Sequence, residues 1–391
     1  MRLNKTIQTI KPSGIREFFD IAATMPDALA LGVGEPDFAT PWYIRNAAIK
    51  SIQKGYTAYT SNRGLHELCV AVTEYLDDRF GVKYDADKEV IVTVGASEAI
   101  DLALRVLVDP GDGVLIPSPS YVSYMPITTL CGGVPVPVAC PEECDFRITP
   151  EHLEKAAEGS NARVLILPYP NNPTGAVMKE EDYAALLPVI EKYDLSVVSD
   201  EIYAELTYDG KHVSVPSVPG YRDRTVLING FSKAFAMTGW RLGYTAAPPD
   251  VTSAMLKVHQ YTALSAPTPS QYAGLAALKE GKEENYRTID EMREEYDRRR
   301  RYLVAALGEF GLKCRMPGGA FYVFANVSGV GMDGQRFARG LIKAEKVAVV
   351  PGDAFGEAGR DYVRISYATS LRTLMQATER MKRFVSDNKN G

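Results

Sequence analysis

The stretch Asn229-Gly-Phe-Ser-Lys-Ala-Phe-Ala-Met-Thr-Gly-Trp-Arg-Leu-Gly243 decides how the rest of this chain is read. Just before it, Thr225-Val-Leu-Ile228 is a short apolar run that ends abruptly at Asn229-Gly230, which predicts a buried strand followed by a turn. Lys233 then falls just past the carboxyl end of a strand, beside small residues that leave room for a ligand. Arg241 follows inside a second apolar run, Trp240-Arg-Leu-Gly-Tyr-Thr-Ala-Ala247. Cations in apolar surroundings are costly unless each has a partner. Two readings fit this stretch alone: a surface lysine beside a structural ion pair, or a lysine facing an aldehyde and an arginine facing a phosphate.

Outward from this stretch the pattern repeats as short apolar strand, turn and helix. The candidate strands are 90–94, 113–116, 134–138, 164–167, 196–199, 225–228 and 242–246, with helices expected over 97–108, 150–158 and 179–193. This alternation predicts an α/β fold, a mostly parallel seven-stranded sheet sandwiched by helices. The sheet domain is expected over residues 50–275. Residues 1–49 would form an N-terminal arm and part of a small domain, with a helix at 12–23, a turn-rich Leu31-Gly-Val-Gly-Glu-Pro-Asp-Phe38 and a helix over 41–54. A further helix is expected over 65–80. Residues 276–391 would form the rest of a smaller α+β domain, opening with a long charged helix over 283–310. Its run Glu294-Glu-Tyr-Asp-Arg-Arg-Arg-Arg301 places Glu294–Arg298, Glu295–Arg299 and Asp297–Arg301 at i,i+4 with the acid first. A solvated or interdomain helix face explains these arginines better than a nucleic-acid contact.

Composition narrows the function classes. The chain has 391 residues, 46% hydrophobic and 24% charged, with a net charge of −5, so neither nucleic acid nor an anionic membrane is an expected partner. No apolar run approaches the ~20 residues of a membrane span, and the N-terminus lacks an apolar signal segment, which predicts a cytoplasmic protein. Five scattered cysteines and four distant histidines have no metal-type spacing, so no metal site is expected.

In open parallel sheets, ligands bind outside the carboxyl ends of the strands, and the distinctive polar residues of this chain fall there. After strand 90–94 come Gly95, Ala96 and Ser97 at a helix start, fit either for a simple cap or for an anion. After 113–116 comes Tyr121, which could stack on a flat ring or merely pack. After 164–167 the rigid turn Pro168-Tyr-Pro-Asn-Asn-Pro-Thr-Gly175 carries Asn172. Strand 196–199 runs straight into Asp200-Glu-Ile-Tyr203, and a buried carboxylate needs a cationic partner. Lysine, anion-binding helix start, arginine, aromatic face, amide, aspartate and tyrosine together suit pyridoxal 5′-phosphate. In that reading Lys233 forms the Schiff base and Asp200 keeps the pyridine nitrogen protonated.

These motifs resemble the class I/II aminotransferases of the fold-type-I pyridoxal-phosphate enzymes, close to the aromatic and aspartate aminotransferase branch. The resemblance runs from Pro12-Ser-Gly-Ile-Arg16 to Val363-Arg-Ile-Ser-Tyr367 and is carried by Gly230-Phe-Ser-Lys233, Arg241-Leu-Gly, Asn172-Pro-Thr-Gly and Ser199-Asp-Glu-Ile-Tyr203. It implies that Lys233 is the covalent anchor and proton carrier, that Asp200 pairs with the pyridinium, and that Tyr203 and Asn172 meet the ring oxygen. It further implies phosphate contacts from Gly95, Ala96, Ser97, Ser232 and Arg241, stacking by Tyr121, and a homodimer in which Tyr59 reaches the partner's phosphate. Arg364 would clamp the substrate α-carboxylate, assisted by Asn172 and the Gly34 backbone. Gly230 departs from relatives that place a phosphate-binding serine there.

The resemblance implies ping-pong transfer of an amino group from an aromatic or aspartate-like L-amino acid to a 2-oxo acid such as 2-oxoglutarate. A carbon–sulfur β-lyase could use the same cofactor residues. A non-catalytic regulator would want an added DNA-binding module, and a nicotinamide enzyme a Gly-x-Gly-x-x-Gly turn where the chain has Gly95-Ala-Ser-Glu-Ala-Ile100. No second arginine is assignable to a substrate side chain, although Arg16 is a candidate. Phe18, Tyr322 and Phe324 could line a pocket or fill a core.

Overall fold

The computed structural model describes residues 1–12, 14, 15, 18, 24, 25 and 27–389. Seven strands form the large sheet: β1 (Val90–Thr93), β2 (Gly113–Ser118), β3 (Val134–Ala139), β4 (Ala162–Leu167), β5 (Ser196–Asp200), β6 (Thr225–Gly230) and β7 (Gly243–Ala246). Their order is β1-β7-β6-β5-β4-β2-β3, with only β7 antiparallel to its neighbours. All seven expected strands are present, within two residues at each end. Most are buried on both faces, which is why they read as unbroken apolar runs. The exception is β3, Val-Pro-Val-Pro-Val-Ala, an edge strand that is largely exposed and whose two prolines carry no N–H to offer a further strand.

Register brings the functional turns together. Leu167 of β4 lies opposite Ser199 of β5, and Asp200 lies opposite Ile228 of β6. The turns that carry Asn172, Asp200 and Lys233 therefore leave adjacent strands at one edge of the sheet. Helix Gly95–Leu107 starts directly from β1 and packs against β5, β6 and β7, burying Ala99, Ile100, Leu102, Ala103 and Leu104.

A second, antiparallel sheet has the order Val350–Pro351, Tyr362–Ser366, Tyr322–Asn326, Lys313–Cys314. The early segment Leu29–Ala30 pairs in parallel with Val347–Ala348, and Ser366 N–H donates to the Leu31 carbonyl at 2.7 Å. The N-terminal segment thus joins the C-terminal elements, bringing Gly32 to Glu35 to the rim of the large sheet.

Several expectations need correction. The charged helix expected over 283–310 is present as Arg287–Glu309, starting four residues late where Asn285 and Tyr286 take φ of 52° and 54°, and a separate helix, Thr268–Glu283, precedes it. The Glu294–Arg298 pair does not form: Arg298 reaches Glu295 at 3.0 Å instead. Arg299 and Arg300 are buried, not solvated, because their partners Asp37 and Asp209 come from distant segments. The expected helix over 12–23 and Arg16 fall largely outside the described residues, although Phe18 is buried in the core.

Candidate active site

A cavity of about 410 Å³ opens at the carboxyl ends of β4, β5 and β6, bounded on the other side by Gly34, Tyr322 and Arg364. Gly34, Ala96, Ser97, Tyr121, Asn172, Asp200, Tyr203, Ser232, Lys233, Arg241 and Arg364 all line it. Gly95 lies just behind, and Tyr59 stands apart at 81% exposure, directed to solvent in the single chain.

Lys233 sits on the turn after β6, where its ammonium donates to the Gly34 carbonyl at 2.6 Å. Burial lowers its pKa to about 8, with Arg364 and Arg241 adding to the effect against Glu35 and Asp200. A lysine shifted this way holds a sizeable neutral fraction near pH 7–8 and is a competent nucleophile. Asp200, the last residue of β5, is buried and accepts from the Tyr124 hydroxyl at 2.7 Å and from the Ile202 amide at 3.2 Å. Burial raises its pKa despite these donors, so a cation brought to it would find a strong partner.

Arg364 is buried between two rings, its guanidinium carbon 4.3 Å from the centre of Tyr322 and 4.8 Å from that of Phe355. It donates to Asn172 Oδ1 at 2.8 Å and to the Gly32 carbonyl at 2.6 Å. Its Nε has no partner among the described residues. A buried guanidinium with a donor to spare and, among the described residues, no carboxylate paired with it is built for an anion from outside.

A second anion cradle lies at the start of helix Gly95–Leu107. Arg241, at φ 50°, lays its guanidinium so close that a Cβ on residue 95 would stand 2.7 Å from Nη2. Arg241 donates to the Thr238 carbonyl at 3.0 Å, and no described carboxylate forms an ion pair with it. Gly243 faces the same helix start, where a side chain would strike the backbone of Gly95 at 2.6 Å and Ala96 at 2.7 Å. Helix dipole, free amides and an unpaired arginine converge on one point.

These groups fit pyridoxal 5′-phosphate: an amine of lowered pKa for its aldehyde, a buried carboxylate short of a cation for its ring nitrogen, and a basic helix start for its phosphate. Two further residues, Tyr124 and Glu35, belong to the site that sequence reasoning did not place there. Tyr124 follows Tyr121 by three residues, and that spacing is the signal that could have linked it to the same face. Glu35, at the rim, accepts from the Thr238 hydroxyl at 2.8 Å. Tyr322 lines the cavity, whereas Phe324 stacks on Tyr362 at 4.7 Å in the core.

Fold and site together define a pyridoxal-phosphate-dependent transaminase. The family model for aminotransferase class I and II matches residues 26–381, and the chain belongs to that family. It is 42% identical over 390 residues to the aspartate aminotransferase of Pyrococcus abyssi, covering 100% of both chains. The same figures hold for aromatic-amino-acid aminotransferase 2 of Thermococcus litoralis. The structure of the Thermus thermophilus aspartate aminotransferase with maleate superposes with a TM-score of 0.93 at 39% identity, over 98% of this chain and 100% of that one.

Proposed function

We propose that this aminotransferase takes the amino group of an aromatic or dicarboxylic L-amino acid and passes it to a 2-oxo acid such as 2-oxoglutarate, in two half-reactions at one site. The observation that carries this reading is Lys233, of lowered pKa, lining one cavity with the buried Asp200 and the buried Arg364. When bound, pyridoxal 5′-phosphate supplies an electron sink for the α-carbon of the amino acid.

The chain's own groups do the rest. Arg364 binds the α-carboxylate with its free donor and Asn172 steadies it. Asp200, backed by Tyr124, holds the ring-nitrogen proton, and Tyr203 donates to the ring oxygen. Tyr121 covers the ring face, while Gly95, Ala96, Ser97, Ser232 and Arg241 hold the phosphate. Lys233 would act as the base that takes the α-proton and, once protonated, as the acid that returns it.

The substrate preference is supported by the aromatic lining from Tyr121 and Tyr322 and by the names of the relatives. Exposed Tyr59, with Tyr261 at 86% exposure, supports a homodimer in which Tyr59 completes the partner's phosphate site. The division into residues 1–49, 50–275 and 276–391 is proposed on the two separate sheets. No helix of the described residues is long and apolar enough to cross a membrane, which agrees with the cytoplasmic location we assign.

The test is a half-reaction. Each candidate amino acid should convert the visible absorbance of the bound cofactor, and a 2-oxo acid should restore it. Release of ammonia and pyruvate without an acceptor would instead identify a carbon–sulfur β-lyase.

A further inference from the structure

Tyr322 stands where four of the assigned residues meet. It opens the strand Tyr322–Asn326 and is 1% exposed. Its hydroxyl lies 2.9 Å from that of Tyr203. It also passes so near Gly34 that a Cβ there would stand 2.9 Å away, and the Gly34 carbonyl accepts from Lys233. In the antiparallel register Tyr322 faces Ser366 while Arg364 faces Phe324, so Tyr322 and Arg364 are diagonal neighbours on one face. The Arg364 guanidinium carbon accordingly lies over the Tyr322 ring, 4.3 Å from its centre.

We propose that Tyr322 is a positioning residue that links the two halves of the site: its hydroxyl directs the Tyr203 proton to the ring oxygen, and its ring holds Arg364 in plane for the α-carboxylate. The inference rests on the roles proposed above for Tyr203 and Arg364. Each phenol has one proton to give. If Tyr203 gives its proton to the cofactor's ring oxygen, the contact between the two hydroxyls has only one direction left, from Tyr322 O–H to Tyr203 O. A donor that itself accepts a hydrogen bond is polarised and donates more strongly. Burial raises the pKa of both tyrosines, so both keep their protons at neutral pH. Around Arg364, the Tyr322 and Phe355 rings attract the cation by their π faces and restrict its tilt.

The test is a pH titration of the visible absorbance of the cofactor-loaded protein, with steady-state kinetics alongside. A hydrogen bond to the ring oxygen favours its anionic form, so weakening it raises the titration midpoint. Tyr322→Phe should raise the midpoint by roughly half a pH unit, the size expected from one neutral hydrogen bond. Tyr203→Phe should raise it further, and adding Tyr322→Phe to that variant should change nothing more. Relative to Tyr322→Phe, Tyr322→Leu should raise the KM of the amino donor about fivefold, since only the second change removes the ring beneath Arg364. An unshifted midpoint in Tyr322→Phe while Tyr203→Phe shifts, additive shifts in the double variant, or equal KM values for the Phe and Leu variants would each overturn the proposal. If Tyr203→Phe itself leaves the midpoint unmoved, the role given to Tyr203 falls, and this inference falls with it.

Discussion

Arg299 closes onto Asp37 across 262 positions of sequence, its Nη1 lying 2.9 Å from both carboxylate oxygens. The Tyr296 hydroxyl reaches the same carboxylate at 3.2 Å, and Arg299 Nε donates to Glu295 at 2.9 Å. The pair fastens the segment Gly34–Phe38 to helix Arg287–Glu309. That segment carries the carbonyl bonded to Lys233 and the carboxylate of Glu35. Asp37→Asn should therefore loosen the rim of the cavity as well as destabilise the fold. The expected loss is about 2 kcal/mol in urea unfolding, that of a charge-assisted hydrogen bond, with a severalfold rise in the KM of the amino donor. Arg299→Lys should not preserve either value, because an ammonium cannot span Asp37 and Glu295 as the planar guanidinium does. An unchanged KM in both variants would confine the pair to a structural role.

Lys233 makes a prediction about pH. Its pKa in the folded, cofactor-free chain is lowered to about 8 by burial, while an unfolded lysine titrates near 10.4. Between these values the unfolded chain binds more protons than the folded one, so this group adds stability as pH rises from 8 towards 10. Lys233→Met removes the contribution. Measured against that variant, the cofactor-free wild type should gain about 1.5 kcal/mol between pH 7.5 and 9.5. Parallel stability curves would mean that the lysine is not desolvated in solution. The same variant should also lose covalent attachment of the cofactor, seen as loss of its visible band.

Asp200 depends on Tyr124, whose hydroxyl lies 2.7 Å from its Oδ2. Burial already raises the carboxyl's pKa, and the tyrosine is a donor that opposes the shift. Tyr124→Phe should raise it further, weakening the hold on a protonated ring nitrogen. Turnover should fall about tenfold, the loss expected from one strong hydrogen bond to a charged group, and cofactor dissociation measured by fluorescence should quicken. Tyr124 is buried and its ring is retained in the variant, so the melting temperature should move by only a few degrees. A large fall in stability with normal turnover per folded molecule would instead make the contact structural.

The large sheet and most of the site were legible in the sequence for one reason: strands buried on both faces are apolar throughout, and several run straight into the turns that carry the cavity residues. Val197-Val-Ser-Asp200 and Thr225-Val-Leu-Ile-Asn-Gly230 announce themselves this way. In the arginine run, Glu295–Arg299 and Asp297–Arg301 pair as the spacing predicts, but the burial of Arg299 and Arg300 was not legible because the acids that pull them inward lie 262 and 91 positions away. The start of the charged helix was placed four residues early since neither glycine nor proline marks the turn at Asn285–Tyr286, where Tyr286 is buried against Tyr75. Tyr322 could not be separated from Phe324 because alternation along a strand places both on one face. Their tertiary neighbours separate them: Tyr322 opens the strand beside Tyr203 and lines the cavity, whereas Phe324 stacks on Tyr362.

Gly243 offers a direct test of the phosphate cradle. In the antiparallel pair it lies opposite Thr93 of β1 and Gly230 of β6, and a methyl group there would press on the Gly95 carbonyl carbon at 2.6 Å and the Ala96 nitrogen at 2.7 Å. Both atoms are backbone, so the strain cannot be relieved by turning a side chain, and the first turn of helix Gly95–Leu107 must move. Overpacking of this kind destabilises by roughly 1–3 kcal/mol. The displaced amides belong to the helix start that Arg241 faces. Gly243→Ala should therefore weaken cofactor affinity by at least about tenfold, a loss equivalent to one good hydrogen bond to an anion. The pKa of Lys233, set mainly by burial on a different turn, should stay near 8. Equilibrium titration with pyridoxal 5′-phosphate, compared with pyridoxal lacking the phosphate, separates these contributions: the variant should lose most of its preference for the phosphorylated form. An undiminished preference would place the phosphate away from this helix.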